Sequence, residues 1–413
     1  MQTKLSEVVK NAPQGQEADA ILRSCVHCGF CLATCPTYQI LGDELDSPRG
    51  RIYLIKQMLE GQPVTQKTQL HLDRCLTCRA CETTCPSGVR YGALVDIGRD
   101  IVEKQIKRDT TASVMRYALK HVLPNTRLFS MLLKMGHMVR PMLPMQLKKT
   151  IPPKARSSGI WPQSGHKRKM LVLDGCVQPV LAPSINAATA RVLDRLGVSL
   201  IKASNAGCCG AVTFHLNAQQ EGLEFMRRNI DAWWPAVERN EVEAIVMTAS
   251  GCGVTVKEYG HLLQHDREYA EKAHRISAMV KDISEIVTIE FDHLMRLLEE
   301  NTDASKPKLS FHSPCTLQHG MKIRGTVEKL LDAAGYSVMP VPNSHLCCGS
   351  AGTYSILQPE LSRQLKSDKV AALESTDPDL IATANIGCLI HLQSELTKPI
   401  KHWIELIDER LSG

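Results

Sequence analysis

Aromatic side chains make up only 4% of the 413 residues, too few for the stacking platforms that bind single-stranded nucleic acid. There is no apolar run of 18 residues, so no membrane-spanning helix is expected. The stretch from Met1 to Asn11 is polar and mixed in charge, which is unlike a secretory leader. The chain has no G-x-G-x-x-G turn and no P-loop, so neither a dinucleotide nor a nucleoside triphosphate has its usual phosphate cradle. No flavin-binding region is evident either. What the chain does have is cysteine, sixteen in all. With no export signal, these are expected to stay reduced in the cytoplasm and to serve as metal ligands or redox groups rather than disulfides. The length suits two or three domains.

Half of the cysteines form a ladder. Cys25, Cys28, Cys31 and Cys35 are followed by Pro36, and Cys75, Cys78, Cys81 and Cys85 by Pro86, with all four positions offset by 50 residues. Each copy reads C-x2-C-x2-C-x3-C-P, the run that holds cubane clusters in two-cluster ferredoxins. Three closely spaced thiolates wrap one cluster. The fourth, beyond a longer step and before a proline, points to the other. On that rule Cys25, Cys28, Cys31 and Cys85 hold one [4Fe-4S] cluster, and Cys75, Cys78, Cys81 and Cys35 hold the second. Paired structural zinc sites are the alternative, because C-x2-C is also a zinc spacing, but four-ligand zinc leaves the third close cysteine and the proline without a purpose. Between the copies, Ser47-Pro48 signals a helix start, and Ile52, Ile55, Met58 and Leu59 follow at helical spacing. Arg49 and Arg51, set beside Pro48 and Gly50, are expected to serve a cluster or a partner.

Residues 101–169 carry 15 Lys or Arg against two acids, Glu103 and Asp109, a charge of +13 in a chain whose total is +6. Six of the 15 methionines fall there: Met115, Met131, Met135, Met138, Met142 and Met145. The run from Leu128 to Val139 has an amphipathic helical pattern with a broad apolar side, and prolines 141, 144, 152 and 153 then break it into a linker. Two readings stand side by side. The segment meets an anionic membrane surface or an acidic, adaptable partner, or it is a hairpin packed on the cluster module with a solvated basic side. No groove-reading module accompanies the charge, so nucleic acid is not expected.

From Lys169 the pattern alternates strand and helix, which argues for parallel crossover units. Strand-like runs 170–173, 198–203 and 244–248 end near Cys176, Cys208-Cys209-Gly210 and Cys252. Runs 309–312, 336–339 and 380–383 end near Cys315, Cys347-Cys348-Gly349 and Cys388. The halves repeat at an offset of 139 residues for the first three cysteines and 136 for the last. All eight cysteines follow the C-terminal ends of strands, the edge where open parallel sheets bind ligands. An additional metal or iron–sulfur centre in each half, a thiol-based redox or substrate site, and inert buried cysteine all remain open.

Together the ladder, the Ser47-Pro48-Arg49-Gly50-Arg51 segment and the duplicated Cys-Cys-Gly pattern resemble the glycolate oxidase iron–sulfur subunits. That group is related to a subunit of anaerobic glycerol-3-phosphate dehydrogenase, to lactate-utilisation proteins and to heterodisulfide reductase. The chain departs from the fullest pattern of these relatives: where they end each half in C-x2-C, it has Thr255 after Cys252 and His391 after Cys388. That counts against the expanded cluster and disulfide-reducing activity of heterodisulfide reductase.

The expected fold is α+β and multidomain. A helical two-cluster ferredoxin-like module (1–100) leads through a basic Met-rich segment (101–168) to two Cys-Cys-Gly α/β halves (169–300 and 301–413). The resemblance implies an electron-transfer subunit with no catalytic residue of its own. Its partners would be flavin-containing glycolate oxidase subunits and a membrane quinone or surface. The chain is expected to be cytoplasmic and peripheral on the inner membrane. Lactate or glycerol 3-phosphate as the substrate, or a non-catalytic iron–sulfur sensor or scaffold, are the other expectations.

Overall fold

A computed structural model describes residues 1–144, 148, 151–155, 157–299 and 306–412. Met145 and the expected junction at 300 lie outside the described residues. Among the described residues no strand precedes Arg168. The N-terminal part is built of helices, the longer ones being Pro13–Ser24, Pro48–Leu59, Gln66–Asp73 and Tyr91–Gln105. They close on a core that includes Leu22, Ile55, Leu59, Leu72 and Leu94. Helix Pro48–Leu59 starts where the sequence signals it: the Ser47 hydroxyl accepts the Gly50 N–H at 3.0 Å and Pro48 takes the first turn. Its residues Ile52, Ile55, Met58 and Leu59 are all buried.

The basic segment opens with two helices, Thr110–Val122 and Thr126–Val139. Arg108 and Arg116 fasten the first to Asp73, and Lys120 reaches Glu221 at 2.5 Å. The Thr126 hydroxyl donates to the Cys176 carbonyl at 3.1 Å. Helix Thr126–Val139 buries none of its residues. Met131, Met135, Met138 and Met142 are exposed beside the exposed Arg127, Lys134 and Arg140. The second helix thus leaves its methionines exposed, whereas the first buries Leu119 and is fastened to the cluster module as the packed-hairpin reading expected. No helix among the described residues is long and apolar enough to cross a membrane.

Two four-stranded parallel sheets follow. The strands are β1 (Arg168–Val172), β2 (Val198–Lys202), β3 (Ile245–Met247), β4 (Val280–Asp282), β5 (Lys308–His312), β6 (Ser337–Met339), β7 (Leu380–Thr383) and β8 (Ile400–His402). The orders are β2-β1-β3-β4 and β6-β5-β7-β8, the same topology twice. The pattern anticipates six of these strands. The fourth strand of each sheet, Val-Lys-Asp and Ile-Lys-His, has a lysine at its centre and a polar last residue, so no apolar run marks it.

The halves share one core, with Ile185, Val192 and Leu193 of the first packed among Leu309, Phe311, Ile404 and Ile407 of the second. Arg191 pairs with Asp408 at 2.6 Å, and His402 Nε2 donates to the Thr248 carbonyl at 2.9 Å. The cysteine-bearing edges of both sheets therefore open onto one cavity of about 270 Å³, bordered also by Cys75 and Cys78 of the helical module.

Candidate iron–sulfur centres

The two ladder loops share a backbone. His27 (φ 56°) and Gly29 (φ 84°) in the first match Thr77 (φ 53°) and Arg79 (φ 60°) in the second. Left-handed residues at these positions turn successive N–H groups toward one point, an arrangement that suits an anionic group. Thr77 N–H donates to Cys75 Sγ at 3.4 Å. Non-glycine residues in this region cost about 1–3 kcal/mol each, so the loops are held from outside. Arg99 does so in the second copy, donating to the carbonyls of Leu72 (2.8 Å) and Cys75 (2.6 Å) and to the Thr77 hydroxyl (2.9 Å). Arg79 is clamped by Glu258 of the first α/β half, one bond being 2.8 Å.

The fourth cysteines cross over. Cys25, Cys28, Cys31 and Cys85 line one cavity, with Cys81 on the wall toward the next. Cys35, Cys75, Cys78 and Cys81 line the adjoining one. Tyr91 borders both, and its hydroxyl donates to Cys75 Sγ at 3.5 Å. Burial pushes the thiols of Cys78 and Cys81 well up, and that of Cys31 to about 11. As free acids these sulfurs are poor nucleophiles. A metal that takes them as thiolates must displace their protons, so the donor set fits an electron-poor, thiophilic group such as a cubane cluster.

The two sites differ in access. Cys28 is exposed, and Val26 (66%) and Phe30 (64%) stand out around it. The second site is interior. Cys78 packs with Leu76, Tyr354, Cys315 and Cys347, and the Tyr354 hydroxyl donates to the Arg74 carbonyl at 3.0 Å. The two arginines singled out in the sequence divide between the sites. Arg49 lines the first cavity and bonds Glu44 at 2.5 Å. Arg51 is buried by the second, where it bonds Asp46 (3.0 Å), the His71 carbonyl (2.7 Å) and the Thr37 hydroxyl (3.1 Å).

The remaining cysteines gather into two quartets. Cys176, Cys208, Cys209 and Cys252 form a hydrogen-bonded chain, in which the Cys208 thiol is drawn well below its ordinary value by its bonds from Cys176 and Cys209. The contact with Cys208 pushes the Cys176 thiol up correspondingly. Cys315, Cys347, Cys348 and Cys388 form the second chain, with Cys315 and Cys347 sulfurs 3.8 Å apart. The Cys-Cys-Gly glycine has the same reason in both halves. Gly210 and Gly349 are left-handed (φ 89° and 84°), and a Cβ on either would lie 2.6–2.7 Å from a carbonyl oxygen, that of Gly222 or Ser362. Only glycine lets the following long helix approach the loop that aims the sulfurs.

At the C-x2-C positions Thr255 turns its hydroxyl to its own helix, donating to the Gly251 carbonyl at 3.1 Å, and His391 bonds Ser362 at 3.4 Å. Another imidazole, not singled out in the sequence, does reach a quartet. A ring nitrogen of His312 and the sulfurs of Cys348 and Cys388 lie within 4.8 Å of one another, all buried. The signal available was a polar residue ending the apolar run of β5, where the first half has Leu173.

Comparison with known proteins fits this layout. The 4Fe-4S dicluster domain family matches residues 21–89, and the cysteine-rich domain family matches residues 170–257 and 309–393. The chain is 55% identical over 411 residues to the glycolate oxidase iron-sulfur subunit of Escherichia coli (strain K12), covering 100% of this chain and 99% of that protein. The chain belongs to the glycolate oxidase iron–sulfur subunit family. A "probable glycolate oxidase iron-sulfur subunit" of Bacillus subtilis (strain 168) is 32% identical over 401 residues, covering 90% and 88%. Lactate utilization protein A of Bacillus licheniformis is 26% identical over 241 residues, covering 57% and 97%. Membership of the glycolate oxidase iron–sulfur subunit family and the dicluster match decide between the two metals considered for the ladder: it is an iron–sulfur module and not a pair of zinc sites.

Proposed function

We propose that this chain is the electron-transfer subunit of a glycolate-oxidising dehydrogenase. It takes electrons from flavin-bearing partner subunits and passes them toward a membrane quinone or another acceptor. The observation that carries the reading is the grouping of Cys85 with Cys25, Cys28 and Cys31, and of Cys35 with Cys75, Cys78 and Cys81, about two adjoining cavities. These are the proposed ligands of two [4Fe-4S] clusters, which supply one-electron capacity when bound. Oxidation of glycolate to glyoxylate releases two electrons and two protons and needs a two-electron acceptor such as flavin. With no flavin-binding region evident in this sequence, that step is assigned to partners.

The chain's own residues give the assembly a direction. Val26 and Phe30 form an apolar rim beside the exposed Cys28, suited to a partner's face. Cys78, half-buried beside Cys315 and Cys347, turns the second site inward to the α/β halves. There the two quartets are proposed as further metal or iron–sulfur centres. The test adds glycolate, D-lactate, L-lactate and glycerol 3-phosphate to the anaerobically purified complex and follows cluster reduction by electron paramagnetic resonance. Reduction by glycolate is expected. Clusters that dithionite reduces but no substrate does, with the flavoprotein present, would overturn the electron path.

The acceptor side is proposed to be an anionic lipid surface met by helix Thr126–Val139. Its exposed methionines enter the headgroup boundary, and Arg127, Lys134 and Arg140 face the lipid charge. Each basic residue near such a surface is worth about 1 kcal/mol, so three give a combined bias of about 100-fold. Co-sedimentation should show binding to vesicles rich in phosphatidylglycerol, weakening steeply with salt. Equal binding to neutral vesicles, or none to anionic ones, counts against it.

A further inference from the structure

We propose that the two α/β halves carry unlike centres: the first quartet is all thiolate, while the second is a mixed thiolate–imidazole metal site in which His312 is a ligand beside Cys348 and Cys388. This rests on the reading above that the quartets bind metal, and adds a residue and an asymmetry to it.

Geometry is the first support. His312 ends β5, and its ring nitrogen shares a 4.8 Å neighbourhood with the Cys348 and Cys388 sulfurs, all three residues being buried. The Thr383 hydroxyl, from the neighbouring strand β7, bonds His312 Nδ1 at 2.9 Å. Such an outer bond is the usual device that fixes a ligating imidazole and leaves Nε2 for the metal. At the matching offset the first half has Leu173, buried in its core, so the first quartet has no equivalent donor.

A second, independent observation points to a charged occupant. Lys369 is only 3% exposed. Its ammonium donates to the carbonyls of Asn343 (2.9 Å) and Ser344 (3.4 Å), in the loop that leads to Cys347. Among the described residues no carboxylate pairs with it. Burial draws the Lys369 ammonium below the usual lysine range, and the groups that oppose this and favour its charge are Cys348, Cys347, Cys315 and Cys388; a buried cation held this way needs an anion nearby. A metal–thiolate centre is the anion that supplies this. The ligand chemistry is a thiophilic cation, either iron in a cluster or a single zinc-class ion. Neutral imidazole in place of thiolate makes an iron centre more oxidising, so the halves would differ in potential.

The experiment counts iron and zinc per chain in the anaerobically purified full-length protein and examines the metal's neighbours by X-ray absorption and by nitrogen couplings in pulsed paramagnetic resonance. His312→Ala and the bulkier His312→Gln are compared with Cys348→Ser and with the parent. An imidazole nitrogen bound in the parent and lost in both histidine variants supports the proposal, whichever metal is counted. Thr383→Val should weaken that metal about 10–100-fold, as outer-bond losses do. An all-sulfur shell in the parent, or a nitrogen signal that survives His312→Gln, overturns it. The underlying reading fails separately: if Cys348→Ser and its first-half counterpart Cys209→Ser lose no metal, the quartets bind none. If Cys348→Ser loses metal and the histidine variants lose neither metal nor nitrogen signal, only the role of His312 falls.

Discussion

Arg51→Met should destabilise the helical module by roughly 3–5 kcal/mol, the usual effect of breaking a buried ion pair. Arg51 is 1% exposed and Asp46 is wholly buried. Asp46 would keep Arg74 (2.8 Å) and His71 (3.2 Å) but lose its deepest partner. The His71 carbonyl and the Thr37 hydroxyl would lose a donor at the same time. A folded domain is stable by only about 5–15 kcal/mol, so the loss is a large share. It also reaches a ligand, because Cys35 Sγ rests on Thr37 Oγ1 (3.3 Å) and on the Asp46 carbonyl (3.7 Å). The variant should therefore unfold at lower urea and lose iron. Arg51→Lys keeps the charge but cannot span three acceptors, and falls between. Arg49→Met is the contrast: its pair with Glu44 is one-third exposed or more on each side, and its removal should cost under about 1 kcal/mol. An Arg51→Met protein with full iron and an unchanged urea midpoint would refute the account.

Cys85→Ser and Cys35→Ser should each remove one cluster, about four irons per chain, and the cluster lost should belong to the opposite copy. Cys85→Ser is expected to abolish the accessible centre near Phe30 and spare the interior one. Cys35→Ser should do the reverse and disturb the contacts of Thr37 and Asp46 as well. Because Cys28 is exposed and Cys81 is buried, the two centres separate by how quickly added ferricyanide oxidises them. If Cys35→Ser leaves only the slowly oxidised centre, the ladders are uncrossed and the ligand assignment is wrong.

The sequence makes the larger plan of this molecule readable because its signals repeat. An offset of 50 residues at four cysteines, and of 139 at three, exposes two duplications before any coordinate is seen. The helix at Ser47-Pro48 and six of the eight strands also follow from local pattern. What escapes is set by tertiary packing. β4 and β8 carry a central lysine in place of an apolar run and form because a neighbour offers an open edge. Asp46 looks like any acid in a polar loop until Arg51, Arg74 and His71 close on it. His391, at the C-x2-C position, bonds Ser362, whereas His312, three residues before Cys315, lies within 4.8 Å of Cys348 and Cys388, which only the packing of β5 beside β7 reveals. Amphipathicity gave helix Thr126–Val139 an apolar side but carried no information about whether the protein itself covers it.

With the ligands as proposed, a chain still on the ribosome cannot complete the second ladder site before residue 81 has emerged or the first before residue 85, because each borrows a sulfur from the other copy. The first thirty-five residues can offer three or four thiolates to iron, but not in the arrangement the finished site uses. Loading is thereby deferred until both copies are made, and the interior site gains its outer wall only when Cys315 and Cys347 follow. A chain that ends before residue 81 therefore completes neither site, and one that ends before residue 85 lacks the last ligand of the accessible centre.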